Sequence, residues 1–159
     1  MFEDGDRLQR ALDLAYGYLN RRDVTQAEMR RQLERGGIEP ATTEEAIGVL
    51  TDQGMLDDTR FARLFVEDKR ELEQWGSERI RRTLLERGID RELIEDALGS
   101  GPEESELDRA LALLRRRFAV APRDRRERDR ALGVMIRKGY DSELALDALA
   151  AYAREGGEP

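Results

Sequence analysis

The 159-residue chain contains no histidine and no cysteine. Disulfides and zinc sites of the Cys/His type are therefore excluded. The thiol nucleophile, the imidazole base and the Ser-His-Asp arrangement are excluded with them, so any catalysis would fall to carboxylates, Lys, Ser, Thr or Tyr. No apolar run reaches the roughly 18 residues of a membrane-crossing helix. The opening residues, MFEDGD, are acidic and lack the apolar centre of a secretory signal. These absences lead to an expectation of a cytoplasmic chain with no membrane partner. Neither glycine-rich phosphate-binding string, of the P-loop or the dinucleotide type, is present. Lysine is almost missing as well: of 28 basic side chains, only Lys69 and Lys138 are not arginine. The arginine fork suits carboxylates and phosphates. A coding bias toward arginine gives the same excess, so abundance alone assigns no role.

What is present is charge and helix-forming periodicity. Charged residues make up 40% of the chain and hydrophobic ones 39%, enough apolar material for a core. Glycine and proline act as punctuation between long unbroken stretches. Within those stretches Leu8, Ala11, Leu12, Ala15 and Leu19 fall at the spacing of one buried helical face, as do Leu107, Ala110, Leu111, Leu114 and Phe118. Phe61, Leu64, Phe65 and Leu72 predict a third such face, interrupted by Asp68. Shorter helices are expected around Met29, Ile47, Ile80, Leu93, Leu132 and Leu144, which makes nine.

The organisation is repetitive. Gly37, Gly88 and Gly139 are spaced 51 residues apart, each with an apolar residue four positions before it (Leu33, Leu84, Met135) and one position after it (Ile38, Ile89, Tyr140). That is the pattern of a left-handed glycine ending a helix in a Schellman motif, with its flanking hydrophobic contact. The same offset aligns Asp90, Glu92, Leu93 and Ala97 with Asp141, Glu143, Leu144 and Ala148. The fold class read from this is all-α, as three tandem three-helix repeats over residues 7–54, 57–99 and 103–153. Units of about 45 residues bury too little apolar surface alone, so they are expected to stack into an elongated, curved, solenoid-like rod. Thr25 with Glu28, and Thr42 with Glu45, have capping-box spacing.

Charge is uneven. Residues 1–58 carry 7 basic and 13 acidic side chains, whereas residues 109–138 carry 11 basic and 3 acidic. Within residues 123–130 the pairs Arg123/Glu127, Arg125/Asp129 and Arg128/Asp124 are four apart, which predicts a solvated, self-paired helix. Arg115, Arg116 and Arg117 have no acidic residue three or four positions away on their helix, and Arg21 and Arg22 share that property. Lys69 and Arg70 occupy the comparable place in the second repeat, and Arg79 and Arg81 lie on its next helix. These nine cations are the candidates for binding a protein partner or nucleic acid. Cations at helix ends also favour the helix dipole, so the pattern by itself leaves both roles open. Asp57-Asp58 is read as helix capping, with Asp58 capping the helix of Phe61, rather than as a metal or acid/base pair. Trp75 is read as packing rather than a base-stacking platform. No catalytic, cofactor or metal residue is assigned.

The string Gly54-Met55-Leu56-Asp57-Asp58-Thr59-Arg60-Phe61-Ala62, followed by Gly76-Ser77-Glu78-Arg79-Ile80-Arg81-Arg82-Thr83-Leu84-Leu85-Glu86-Arg87-Gly88-Ile89, resembles the RecX family of recombination regulators. Ala11 through Leu19, Arg22, Thr25, Glu28 and Leu33 resemble that family's first repeat, while the third matches mainly in Lys138-Gly139-Tyr140 and the last helix. The resemblance, covering about residues 8–152, implies a non-enzymatic regulator. It would bind the RecA filament on single-stranded DNA and inhibit its recombinase, ATPase and coprotease activities, and so act in DNA repair and the SOS response. It implies no catalytic residues and no cofactor; a monomer is the simplest expectation. The net charge of -7 argues against tight binding to naked DNA. Two other readings stay open: a direct DNA-binding protein with helix-turn-helix-like pairs, and a general helical adaptor.

Overall fold

Gly37, Gly88 and Gly139 adopt φ of +84°, +83° and +104°, the left-handed region that only glycine enters without a steric cost. At each, the amide of the following residue bonds back to the carbonyl five positions earlier: Ile38 to Leu33 at 3.0 Å, Ile89 to Leu84 at 3.0 Å and Tyr140 to Met135 at 3.1 Å. These are the three expected Schellman stops, and their flanking apolar pairs are buried. In the computed structural model, which describes residues 2–101 and 104–156 with the side chains of residues 2 and 3 excepted, the stops divide an all-helical chain. The nine helices among the described residues are α1 (Phe2–Leu19), α2 (Gln26–Arg35), α3 (Pro40–Asp52), α4 (Asp58–Leu72), α5 (Ser77–Glu86), α6 (Arg91–Gly99), α7 (Glu106–Arg117), α8 (Arg125–Lys138) and α9 (Ser142–Gly156). Residue 103, where the third repeat is expected to open, lies outside the described residues.

The chain packs as two compact units, Met1–Arg63 with Leu84–Ile94, and Leu64–Thr83 with Glu95–Pro159. The first is built on Ala11, Leu12 and Ala15 of α1, Met29 and Leu33 of α2, and Ala46, Ile47 and Leu50 of α3. Met29, Leu33 and Leu50 are wholly buried, each contributing about 1.5–3 kcal/mol by its removal from water. The second unit is centred on Ala110 and Leu114 of α7, Ala131 and Met135 of α8, and Ala145, Ala148 and Leu149 of α9. Its small fully buried alanines let these helices approach closely.

Two sequence expectations need correction. On α4 the buried residues are Ala62 and Val66, while Leu64 and Leu72 are 46% and 78% exposed; the short side chains face inward, one helical turn apart. The Thr42–Glu45 capping box does not form, because α3 begins earlier, at Pro40, and Thr42 is already inside the helix. The Thr25–Glu28 box does form.

One joint recurs at the 51-residue offset. In the first unit the Thr25 hydroxyl donates to the Arg87 carbonyl at 2.7 Å and the Gln26 amide donates to Asp58 Oδ1 at 3.0 Å. In the second, the Gly76 amide donates to the Lys138 carbonyl at 2.8 Å, the Ser77 amide to Glu106 Oε2 at 3.0 Å, and the Glu78 amide to the Gly139 carbonyl at 3.0 Å. The first amides of a helix have no partner of their own; here residues distant in sequence supply it. Asp58 therefore caps α2 rather than α4. The cap of α4 is Asp57, which accepts from the Arg60 amide at 3.0 Å, the role expected of Asp58 from sequence. Gly76 is required at its joint, since a Cβ there would lie 2.4 Å from the Gly139 backbone.

Candidate functional site

The start of α8 decides how basic the second unit is. Asp124 is its N-cap and accepts the Glu127 amide at 2.8 Å, while Glu127 Oε2 accepts the Arg123 amide at 2.7 Å. The expected pairs Arg123/Glu127, Arg125/Asp129 and Arg128/Asp124 are absent from the ion pairs of the described residues. Two of the three carboxylates are turned onto backbone amides, where they satisfy the helix end. Arg123, Arg125, Arg126, Arg128 and Arg130 are all exposed and, among the described residues, none is in an ion pair.

Next to them the chain leaves α7 through Phe118-Ala119-Val120-Ala121-Pro122, an apolar run in a highly charged protein. The Phe118 backbone is extended and its carbonyl accepts a hydrogen bond from the Tyr152 hydroxyl. Phe118 and Ala121 pack on the core of the unit; Val120 is 59% exposed. Arg117, this run, Arg123, Glu127 and Arg130 border a concavity of about 350 Å³.

The nine candidate cations separate by what they touch. Arg116 and Arg117 are exposed on the last turn of α7 and, among the described residues, lack an ion pair. Arg115 reaches Glu155 on α9, with Nε 3.0 Å from Oε2, a partner 40 positions away that helical spacing does not reveal. The Arg115 hydrogen bond holds the Glu155 carboxyl below its ordinary pKa. Lys69 and Arg79 converge on the Trp75 ring, at 4.6 and 3.9 Å from its centroid, with the Phe65 ring edge-on at 6.1 Å. Trp75 is 9% exposed and offers no open face for a base. Arg70 donates to the Leu98 carbonyl at 3.0 Å; burial, then the charge of Arg109, lowers its pKa. Arg81 pairs with Glu95 at 2.6 Å.

In the first unit Arg21 and Arg22 border a second concavity, of about 310 Å³, with Tyr18, Val24, Glu28, Arg31, Gln32 and Arg35. Arg22 is held by Glu28 at 3.0 Å. Burial pushes the Glu28 carboxyl upward, but hydrogen bonds from Arg87 and the Thr25 amide, with the charges of Arg87 and Arg22, outweigh it and leave the pKa below the ordinary value. Sequence reading passed over Arg31 and Arg35; their four-residue spacing on α2 was the available signal. It also passed over Arg123, which it assigned to an internal pair with Glu127, and Arg130, which lay in the segment it read as a self-paired helix.

Among the described residues no three His, Cys, Asp or Glu side chains are grouped to hold a metal ion, and no helix is long and apolar enough to cross a membrane. The surface offers arginines and an apolar rim, which is the chemistry of binding.

Comparison with known proteins agrees over nearly the whole chain. The family model described as the first three-helix domain of RecX matches residues 11–50, and that of the second three-helix domain matches residues 57–98. A regulatory protein RecX of Halorhodospira halophila is 34% identical across 95% of this chain and 93% of its own length. Another, from Xanthomonas axonopodis pv. citri, is 37% identical across 88% of this chain and 83% of its own. The crystal structure of RecX from Lactobacillus salivarius is similar with a TM-score of 0.80, covering 95% of this chain and 99% of that one at 21% identity. At that identity the likeness establishes the all-α repeat fold.

Proposed function

We propose, from the premise that this chain belongs to the RecX family of regulatory proteins, that it binds the RecA filament on single-stranded DNA and restrains its strand exchange, ATP hydrolysis and coprotease activity without catalysing a reaction. The observation that carries this reading is the set of exposed arginines at the end of α7 and the start of α8, Arg117, Arg123 and Arg130 among them, left without ion pairs among the described residues while Asp124 and Glu127 serve the backbone. A nucleoprotein filament presents acidic protein surface and phosphate together, and an arginine face is complementary to both. In the same reading the chain is a cytoplasmic monomer whose three repeats span residues 7–54, 57–99 and 103–153.

The test is RecA ATP hydrolysis on single-stranded DNA during titration with the whole chain, beside binding to the same DNA without RecA. The expected result is inhibition below one regulator per RecA protomer, with weak binding to naked DNA. No inhibition, accompanied by strong salt-sensitive DNA binding, moves the function to direct DNA binding, because phosphate contacts release counterions. Neither effect leaves the helical adaptor.

A further inference from the structure

We infer that the loop between α7 and α8, with the arginines around it, docks an acidic polypeptide segment that inserts an aliphatic side chain against Val120. The inference deepens the proposed function by giving one surface a partner chemistry, and its primary test does not depend on that function.

Three observations point the same way. A run of five apolar residues, Phe118 to Pro122, presents its central valine, 59% exposed, beside exposed Ala119; an apolar side chain held at a charged surface is a candidate contact for a partner. The loop is held before any partner arrives, by the Tyr152 hydrogen bond to the Phe118 carbonyl and by the packing of Phe118 and Ala121 on the core. A pre-ordered loop lowers the entropy cost of association. Arg117, Arg123 and Arg130 surround the concavity, and none of them is in an ion pair among the described residues. Its one acidic lining residue, Glu127, is committed to the Arg123 amide.

An acidic polypeptide fits this surface better than a nucleic acid does. Single strands gain affinity by stacking bases on open aromatic rings, whereas Phe118, the aromatic residue lining this concavity, and Tyr152, which holds the loop, both pack on the core. What remains accessible is aliphatic, and an aliphatic anchor in an apolar pocket with charged residues at its rim is how protein partners are recognised.

The experiment is fluorescence anisotropy of the whole chain with a labelled acidic peptide carrying one central leucine. The same peptide with serine for leucine and a labelled oligothymidylate serve as comparisons. The leucine peptide is expected to bind. Its affinity should fall about tenfold with Val120→Asp, with Arg123→Glu, or with serine in place of leucine, whereas oligothymidylate binding should not change with Val120→Asp. Val120 is exposed, so its replacement leaves the fold intact, which circular dichroism checks. No leucine-peptide binding, binding indifferent to Val120→Asp, or an equal loss for oligothymidylate overturns the inference. Concentration-dependent dimerisation abolished by Val120→Asp overturns it too, in favour of a second copy of this chain. A RecA titration run in parallel separates the two proposals: wild-type inhibition retained by Val120→Asp removes only this one.

Discussion

The Arg87 guanidinium lies across the Glu28 carboxylate, with Nε 3.1 Å from one oxygen and Nη2 3.0 Å from the other. It ties the turn after α5 to the first turn of α2, and Arg87 also covers the Phe61 ring at 4.5 Å. Both partners of the ion pair are less than about a third exposed, so the pair is not the weak kind found in open solvent. A double-mutant cycle of Glu28→Gln and Arg87→Met in urea unfolding should give a coupling of about 1–2 kcal/mol; additive losses would contradict the geometry. The folded pKa of Glu28 is depressed, so its stabilisation is present above the unfolded value and is lost as pH falls below about 4.3. Between pH 6 and 3 the wild type should therefore lose more stability than Glu28→Gln.

Asp58 behaves in the opposite sense. Burial, its largest influence, raises the pKa; the hydrogen bond from Gln26 works against this, and Asp90 and Asp57 add to the rise. The group favours the folded state most when neutral, and that contribution fades as pH rises through its folded pKa. Asp58→Asn keeps an acceptor for the Gln26 amide and should be neutral or stabilising at pH 7. Asp58→Ala should cost about 0.5–2 kcal/mol, the value of a lost helix cap. Equal effects of the two substitutions in thermal melts would rule out the capping role.

Two glycine-to-alanine changes should have opposite signs. At Gly76 the new methyl would meet the Gly139 backbone at 2.4 Å, while at Gly17 in α1 nothing lies within 4 Å. Gly76→Ala should destabilise by about 1–3 kcal/mol through overpacking. Gly17→Ala should gain about 0.5–1 kcal/mol from the lower backbone entropy of the unfolded chain. Urea midpoints of the two variants against wild type decide it.

Arg116→Glu and Arg117→Glu should each lower stability by no more than about 1 kcal/mol, the loss of a cation at the carboxyl end of α7, as neither side chain is in an ion pair among the described residues. Under the proposed function, each should raise the concentration needed for half-inhibition of RecA ATP hydrolysis several-fold. Unchanged inhibition by the double variant would remove this face from the interaction.

The helix stops were legible in the sequence because each depends on residues within six positions of one another: the left-handed glycine, the apolar residue before it and the one after. The Thr25–Glu28 box was legible for the same reason. What escaped were the interactions that close over long separations. Asp58 caps a helix that starts 32 residues earlier, and Arg115 finds Glu155 rather than a neighbour on its own helix. Charge spacing misled at α8, where the pairs allowed by helical geometry lost to unpaired backbone amides. A carboxylate beside a helix start has two claimants, and spacing counts only the arginine. The arginine face of the candidate site was hidden by that choice.

The helix-start hydrogen bonds of the joint used at Thr25-Gln26 and again at Gly76-Ser77 are polarised. At each, the amides and hydroxyl of the earlier segment donate to oxygens later in sequence, while side chains of the later segment donate back, Arg87 to Glu28, Lys138 to the Glu73 carbonyl and Tyr140 to the Gln74 carbonyl. Cutting the chain after α6 would strip acceptors from the three amides that open α5, whereas removing α1 to α3 would leave Asp58 and the Arg87 carbonyl with lone pairs that water readily fills. The helix-start amides depend on the later side, so loss from the carboxyl end should fray the start of a helix that remains, whereas loss from the amino end leaves the α5 start capped and costs Arg87 its Glu28 partner.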